Sequence, residues 1–204
     1  KGIFKIICIF EFKTLYFVMN KQKKKNPKKG ILFWITGLSG SGKTTLATKI
    51  KKDIQKLYGP TLLISGDNIR QIFKFKEYSA EKRLSLVMKY CRFAKFITNQ
   101  NINLIFAVVG MMDLVRSWNK KNISNYVEIY IKADLKKIIN KKKKKIYHQK
   151  NIGEIVGVSI KPEFPKKPDI VIKNDFKKKN RIFFFIINGK NSKNYLVIKY
   201  FDIR

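Results

Sequence analysis

Cysteine and histidine are scarce in this chain: Cys8, Cys91 and His148 are the only examples among 204 residues. The two cysteines stand far apart with no C-x-x-C or Cys/His spacing, so neither a disulfide framework nor a zinc site organises the chain, and a reducing, cytoplasmic setting is expected. Acidic side chains are also few, 13 against 46 Lys plus Arg, leaving a formal charge of +33. Only six of those cations are arginine, and the lysine excess comes with abundant Ile, Asn and Phe, the usage of AT-rich codons. Drift in base composition explains the charge as well as selection for a polyanion would, and nucleic acid is not the expected partner. Long apolar runs are missing too. Residues 3–19 are apolar, but Lys5, Glu11 and Lys13 interrupt them short of the roughly 20 residues a bilayer span needs. No membrane helix is expected, and a signal peptide would lack its small-residue cleavage site. Met19 opens the run MNKQKKKNPKKG, so residues 1–18 are expected to be upstream translation or a fragment of something else rather than native chain.

With 45% hydrophobic and 13% aromatic residues the chain can bury a sizeable core. Its length suits one α/β domain of roughly 150 residues with extensions. Residues 31–36 (ILFWIT) form a short run rich in β-branched and aromatic side chains, the pattern of a strand buried on both faces. Glycines then break the run, and residues 43–57 repeat apolar positions at Leu46, Ile50, Ile54 and Leu57, as a helix requires. Gly59-Pro60 marks a turn before a second buried strand at 61–65. The same alternation predicts a helix at 80–98 capped by Ser79, with Leu86, Tyr90, Phe93 and Ile97 inward and Lys82-Arg83 outward. Strands follow at 103–109, 126–131 and 169–172, and helices at 113–120 and 134–145. Strands alternating with helices imply a three-layer α/β fold around a parallel sheet. The expected organisation is a basic extension at 1–29, the domain at 30–175 and a C-terminal extension at 176–204. Apolar runs at 181–188 and 195–201 could pair there as a β-hairpin.

The residues Gly37-Leu38-Ser39-Gly40-Ser41-Gly42-Lys43-Thr44 satisfy G-x-x-x-x-G-K-[ST] between a predicted strand and a predicted helix. Glycines at this spacing let successive backbone N–H groups converge on phosphate oxygens at a helix N-terminus. Residues 37–45, ending at Thr45, are therefore expected to hold ATP; Lys43 reaches its β- and γ-phosphates and the Thr44 hydroxyl ligates Mg²⁺. At the end of the next strand, Asp67 places a carboxylate where such sheets bind ligands. An alternative reading makes it the cap of a helix from Asn68 onward.

The loop FWITGLSGSGKTTLA resembles that of the adenylylsulfate kinase family, P-loop enzymes that phosphorylate the 3′-hydroxyl of adenosine 5′-phosphosulfate. Ser65-Gly66-Asp67-Asn68-Ile69-Arg70 is similar to its D-G-D-N-[VI]-R, and Tyr78-Ser79-Ala80-Glu81-Lys82-Arg83 to its F-S-x-E-D-R. Gly153-Glu154-Ile155 and Lys167-Pro168-Asp169-Ile170-Val171-Ile172 resemble two further, weaker motifs. The resemblance implies catalytic roles for Lys43 and Asp67, the latter orienting Mg²⁺-bound water or accepting the proton of the attacking hydroxyl. It implies that Arg70 and Arg83 grip the acceptor's 5′-anion, that Tyr78 stacks on its base and that Val109 lies against it. Cytoplasmic sulfate assimilation and a homodimer are the accompanying expectations.

Several positions depart from that family. Leu86 stands for its nucleotide-binding Asn and Met88 for an arginine, the segment 107–111 lacks Ser-Pro, and the lid arginine and glycine give way to lysines at 141–145. These lysines are a solvated helix face or a clamp of point charges. Trp118-Asn119-Lys120-Lys121-Asn122, Asn125-Tyr126 and Glu128, with Val156-Gly157-Val158, resemble instead a sister group that phosphorylates cytidine diphosphoramidate. Two alternatives therefore stand beside adenosine 5′-phosphosulfate: a cytidine-type acceptor, or a degraded P-loop domain binding nucleic acid through its lysines. Cys91 is expected in the core and His148 at the surface.

Overall fold

The computed structural model describes residues 29–74, 80–140 and 155–176. In order along the chain these form β1 (Leu32–Thr36), α1 (Lys43–Tyr58), β2 (Thr61–Ser65), α2 (Gly66–Phe73), α3 (Ala80–Asn99), β3 (Asn103–Ala107), α4 (Asp113–Asn122), β4 (Tyr126–Ala133), α5 (Leu135–Asn140) and β5 (Ile170–Asn174). The strands make one sheet in the order β2-β3-β1-β4-β5. Every pairing is parallel, with Phe33 opposite Ile105 on one side and Val127 on the other.

Parallel strands need crossovers, and the helices that supply them cover both faces of the sheet. Side chains alternate along β1, so Phe33 and Ile35 turn toward α1 and pack with Leu46, Ile50 and Ile54. Leu32 and Trp34 turn the other way, into a core with Phe106 of β3 and Tyr90, Cys91 and Ala94 of α3. Every residue of β1 is buried, which is why its sequence reads as an unbroken apolar run. The chain leaves β1 for β2, returns through β3, then crosses to β4 on the opposite side. The strand order thus reverses beside β1, and in open parallel sheets ligands bind at the carboxyl ends of strands at that reversal.

The structure differs from the sequence-based expectations at particular places. A helix, α2, follows β2 directly, as the alternative reading of Asp67 required, but it starts at Gly66 and its cap is Ser65, whose Oγ accepts from the Asn68 N–H at 3.1 Å, so Asp67 is not the cap. Phe93 is 38% exposed, because the buried stripe of α3 runs through Tyr90, Cys91, Ala94 and Thr98, one residue out of phase with the predicted one. Arg83 is half-buried rather than on the outer face. The third strand ends at Ala107 rather than 109, and the last continues to Asn174 rather than stopping at 172. Cys91 lies in the core as expected, and burial pushes its thiol up to about 12. Tyr78, the lysines at 141–145, Tyr147, His148, the N-terminal run, Cys8 and the C-terminal hairpin fall outside the described residues.

Candidate active site

The loop between β1 and α1 is shaped by its glycines. Gly37 has φ +148°, and a Cβ there would stand 2.7 Å from the Ile131 carbonyl oxygen and 2.9 Å from Ser41 Oγ, so no side chain fits. Gly42 has φ 101° and stands at the N-cap of α1 with no side-chain cap, leaving the helix's first N–H groups for another acceptor. No acidic residue occupies the first turn, so the positive end of the helix dipole is uncompensated there. Lys43 is only 9% exposed, and its Nζ donates to the Leu38 carbonyl at 2.7 Å, closing the loop on itself. Thr44 is exposed beside it.

Facing this loop, α2 carries Asp67 and Arg70 three residues apart and therefore on one side of the helix. Arg70 Nη2 is ion-paired with Asp67 Oδ1, and their side chains are 36% and 61% exposed, so both remain open to a ligand. The end of β3 forms a third wall. Thr36 Oγ1 donates to the Val109 carbonyl, which ties the exit of β3 to the base of the phosphate loop. These walls enclose a cavity of about 370 Å³. Ser39, Gly40, Gly42, Lys43, Thr44 and Thr45 line it from the loop, with Gly66, Asp67 and Arg70 from α2 and residues 107–109 from the end of β3 and the segment just after it. Gly37, Leu38 and Ser41 of the same loop are buried and do not line the cavity. Nor does Arg83, on the first turn of α3. Asn174 and Phe176, at the end of β5, line the cavity as well and were not singled out from sequence. Their one legible signal was position: they lie at the carboxyl end of a core strand, on the side of the sheet where the phosphate loop sits.

A second group of polar residues is interior and separate from the cavity lining. Arg116 of α4 pairs with Asp113 on its own helix and stands 3.4 Å from Glu128 Oε1 of β4; the Arg116 and Glu128 side chains are 6% and 4% exposed. Burial raises the Glu128 carboxyl to about 7, a shift that the attraction of Arg116 and Lys120 only partly offsets and that Asp169 and Asp113 reinforce. Asn119 and Tyr126 adjoin this group. The residues that resemble the cytidine-type sister group lie on α4 itself, on β4 and the turn before it, and at 156–158, and none of them lines the cavity.

Residues 29–173 match the family model described as adenylylsulphate kinase. The chain belongs to the adenylylsulphate kinase family. Among its relatives, the cytidine diphosphoramidate kinase of Campylobacter jejuni is 33% identical over 154 residues, spanning 74% of this chain and 88% of that protein. The adenylyl-sulfate kinase of Acaryochloris marina is 29% identical, spanning 74% and 77% respectively. The Mycobacterium tuberculosis APS kinase, solved with AMPPNP and APS, superposes with a TM-score of 0.65 at 21% identity, over 74% of this chain and 92% of that one, a likeness of fold. As a member of the adenylylsulphate kinase family, the chain is an ATP-dependent nucleotide kinase.

Proposed function

We propose that this kinase transfers the γ-phosphoryl group of ATP to the ribose 3′-hydroxyl of a nucleotide whose 5′-phosphate carries a further group, and that the acceptor is a cytidine 5′-diphosphate derivative of the diphosphoramidate type. The observation that carries the transfer reading is the convergence of Lys43, Thr44, Asp67 and Arg70 on one cavity at the switch point of the sheet. Two observations favour the cytidine-type acceptor. One is the 33% identity to the Campylobacter jejuni enzyme. The other is Leu86 of α3, half-buried against the apolar core, which offers no amide to hydrogen-bond an acceptor base or sugar. Adenosine 5′-phosphosulfate is the second reading, favoured by the D-N-I-R sequence that places Arg70 in the cavity.

In this account the ATP phosphates lie on the backbone N–H groups of residues 39–45. Lys43 exchanges the Leu38 carbonyl for the β- and γ-phosphate oxygens, a stronger, charge-assisted partner. The Thr44 hydroxyl and Asp67 carboxylate face the same cavity, and hard oxygen donors of this kind, completed by phosphate oxygens and water, suit Mg²⁺. When bound, that ion neutralises charge developing on the transferred group. Asp67 accepts the proton of the attacking hydroxyl, and Arg70 turns its planar fork to the acceptor's 5′-anion. Catalysis is positioning plus electrostatics, as phosphoryl transfer demands. Arg83, Tyr78 and the lid lysines are assigned to the acceptor side, and a cytoplasmic homodimer built on the domain at 30–175 completes the proposal. Initial rates with matched adenosine and cytidine 5′-derivatives test it. The cytidine diphosphoramidate should be preferred, and preference for adenosine 5′-phosphosulfate would select the second reading.

A further inference from the structure

Asn174 is 2% exposed and sits at the last position of β5, opposite Ala133 of β4 and one residue past the span that matches the family model. Its side-chain amide has two arms. Nδ2 donates to the backbone carbonyl of Ser41 at 2.9 Å, across 133 residues of sequence, and Oδ1 accepts from the Phe176 N–H at 3.0 Å. Ser41 is fully buried in the phosphate loop, and the peptide that its carbonyl begins ends at Gly42, which lines the cavity. A trans peptide is planar, with its C=O and N–H pointing to opposite sides. Anchoring the Ser41 carbonyl to Asn174 therefore fixes where the Gly42 N–H points.

We propose that Asn174 is a positioning residue for the donor phosphates: it locks the Ser41–Gly42 peptide so that the Gly42 N–H is aimed at phosphate before any nucleotide arrives. The physical need is specific to this loop. Gly42 has φ 101° and lacks a Cβ, so nothing in its own covalent structure holds that peptide plane, and a flexible glycine peptide would have to be ordered at the moment of binding. A buried hydrogen bond from the rigid edge of the sheet removes that cost in advance. The second arm restrains Phe176, whose φ of 61° is unusual for a residue with a side chain, so the same amide also sets the turn by which the chain leaves β5.

The inference rests on the donor-site reading above, and the test separates the two. Binding of ADP and of inorganic pyrophosphate to the whole chain is measured by calorimetry for the wild type and for Asn174→Leu, which keeps the branched shape but loses both arms. Each ligand should bind the variant about tenfold more weakly, the loss expected when one buried hydrogen bond that orients a binding group is removed. Pyrophosphate is the discriminating probe because it has no base or sugar and senses only the phosphate cradle. Unchanged pyrophosphate affinity in the variant would overturn the proposal, even if ADP binding weakened, since the effect would then run through Phe176 or general loosening. Failure of the wild type to bind either ligand would refute the donor reading itself. Should thermal melts show that the leucine variant does not fold, Asn174→Ser, smaller and too short to span to the Ser41 carbonyl, carries the same comparison.

Discussion

Replacing Glu128 by Gln should change how stability depends on pH, in a direction and size the structure sets. The carboxyl is 4% exposed and its ionisation is raised from an ordinary value near 4.5 to about 7, chiefly by loss of water. Between those two values the folded protein keeps a proton on Glu128 that the unfolded chain has released. Stability therefore falls as pH rises through this window and is fully retained below it. A displacement of this size corresponds to at most about 3 kcal/mol, at 1.36 kcal/mol per pH unit. Gln cannot ionise, so Glu128→Gln should match the wild type near pH 4.5 and become progressively more stable than it toward pH 8. Urea unfolding at several pH values measures this, and subtracting the two proteins cancels every other titrating group. Parallel curves, or a variant that loses ground as pH rises, would show that attraction to Arg116 outweighs burial and would refute the reasoning.

Lys43→Ala should lower the transfer rate by at least roughly a hundredfold, because no other cation among the loop's residues reaches the β/γ phosphates; steady-state kinetics would read it. Arg70→Lys should raise the acceptor KM by about tenfold and leave the ATP KM unchanged, since an ammonium cannot reproduce a bidentate fork; separate titrations of the two substrates distinguish this from a general defect. Duplex DNA should bind only in the non-specific range of about 10⁻⁴ to 10⁻⁶ M at physiological salt, with a steep salt dependence, as a charge set by composition would produce. A nanomolar, sequence-selective shift on a gel would instead favour nucleic acid as the partner.

The phosphate loop was legible because its glycines and Lys43 stand at fixed spacing between two elements whose own patterns are strong. β1 announced itself as a strand covered on both faces by having no polar position before Thr36. α2 was legible only as an alternative, with the wrong cap: it has eight residues, and its opening Ser65-Gly66-Asp67-Asn68 consists of types that equally form turns, so the cap at Ser65 is visible only in three dimensions. Phe93 misled because a stripe drawn at helical spacing through the larger apolar residues is one position out of phase with the buried one, which runs through Cys91, Ala94 and Thr98. Asn174 was passed over because a polar residue near a strand end is ordinarily solvated. Its partner lies 133 residues away, a relation no local pattern encodes. Arg83 and Tyr78 were read through a motif, and the structure places Arg83 outside the cavity lining while Asp67 and Arg70 stand within it.

Transfer of the ATP γ-phosphoryl group to the 3′-hydroxyl is read from the position of the new phosphate. The purified chain is incubated with ATP, Mg²⁺ and cytidine diphosphoramidate or adenosine 5′-phosphosulfate, and the product is read by phosphorus–proton correlation NMR. A new phosphomonoester coupled to the ribose H3′, with the 5′-group intact, is expected. A phosphate on the 5′ end or at O2′, or ATP hydrolysis with no phosphorylated acceptor, would contradict it.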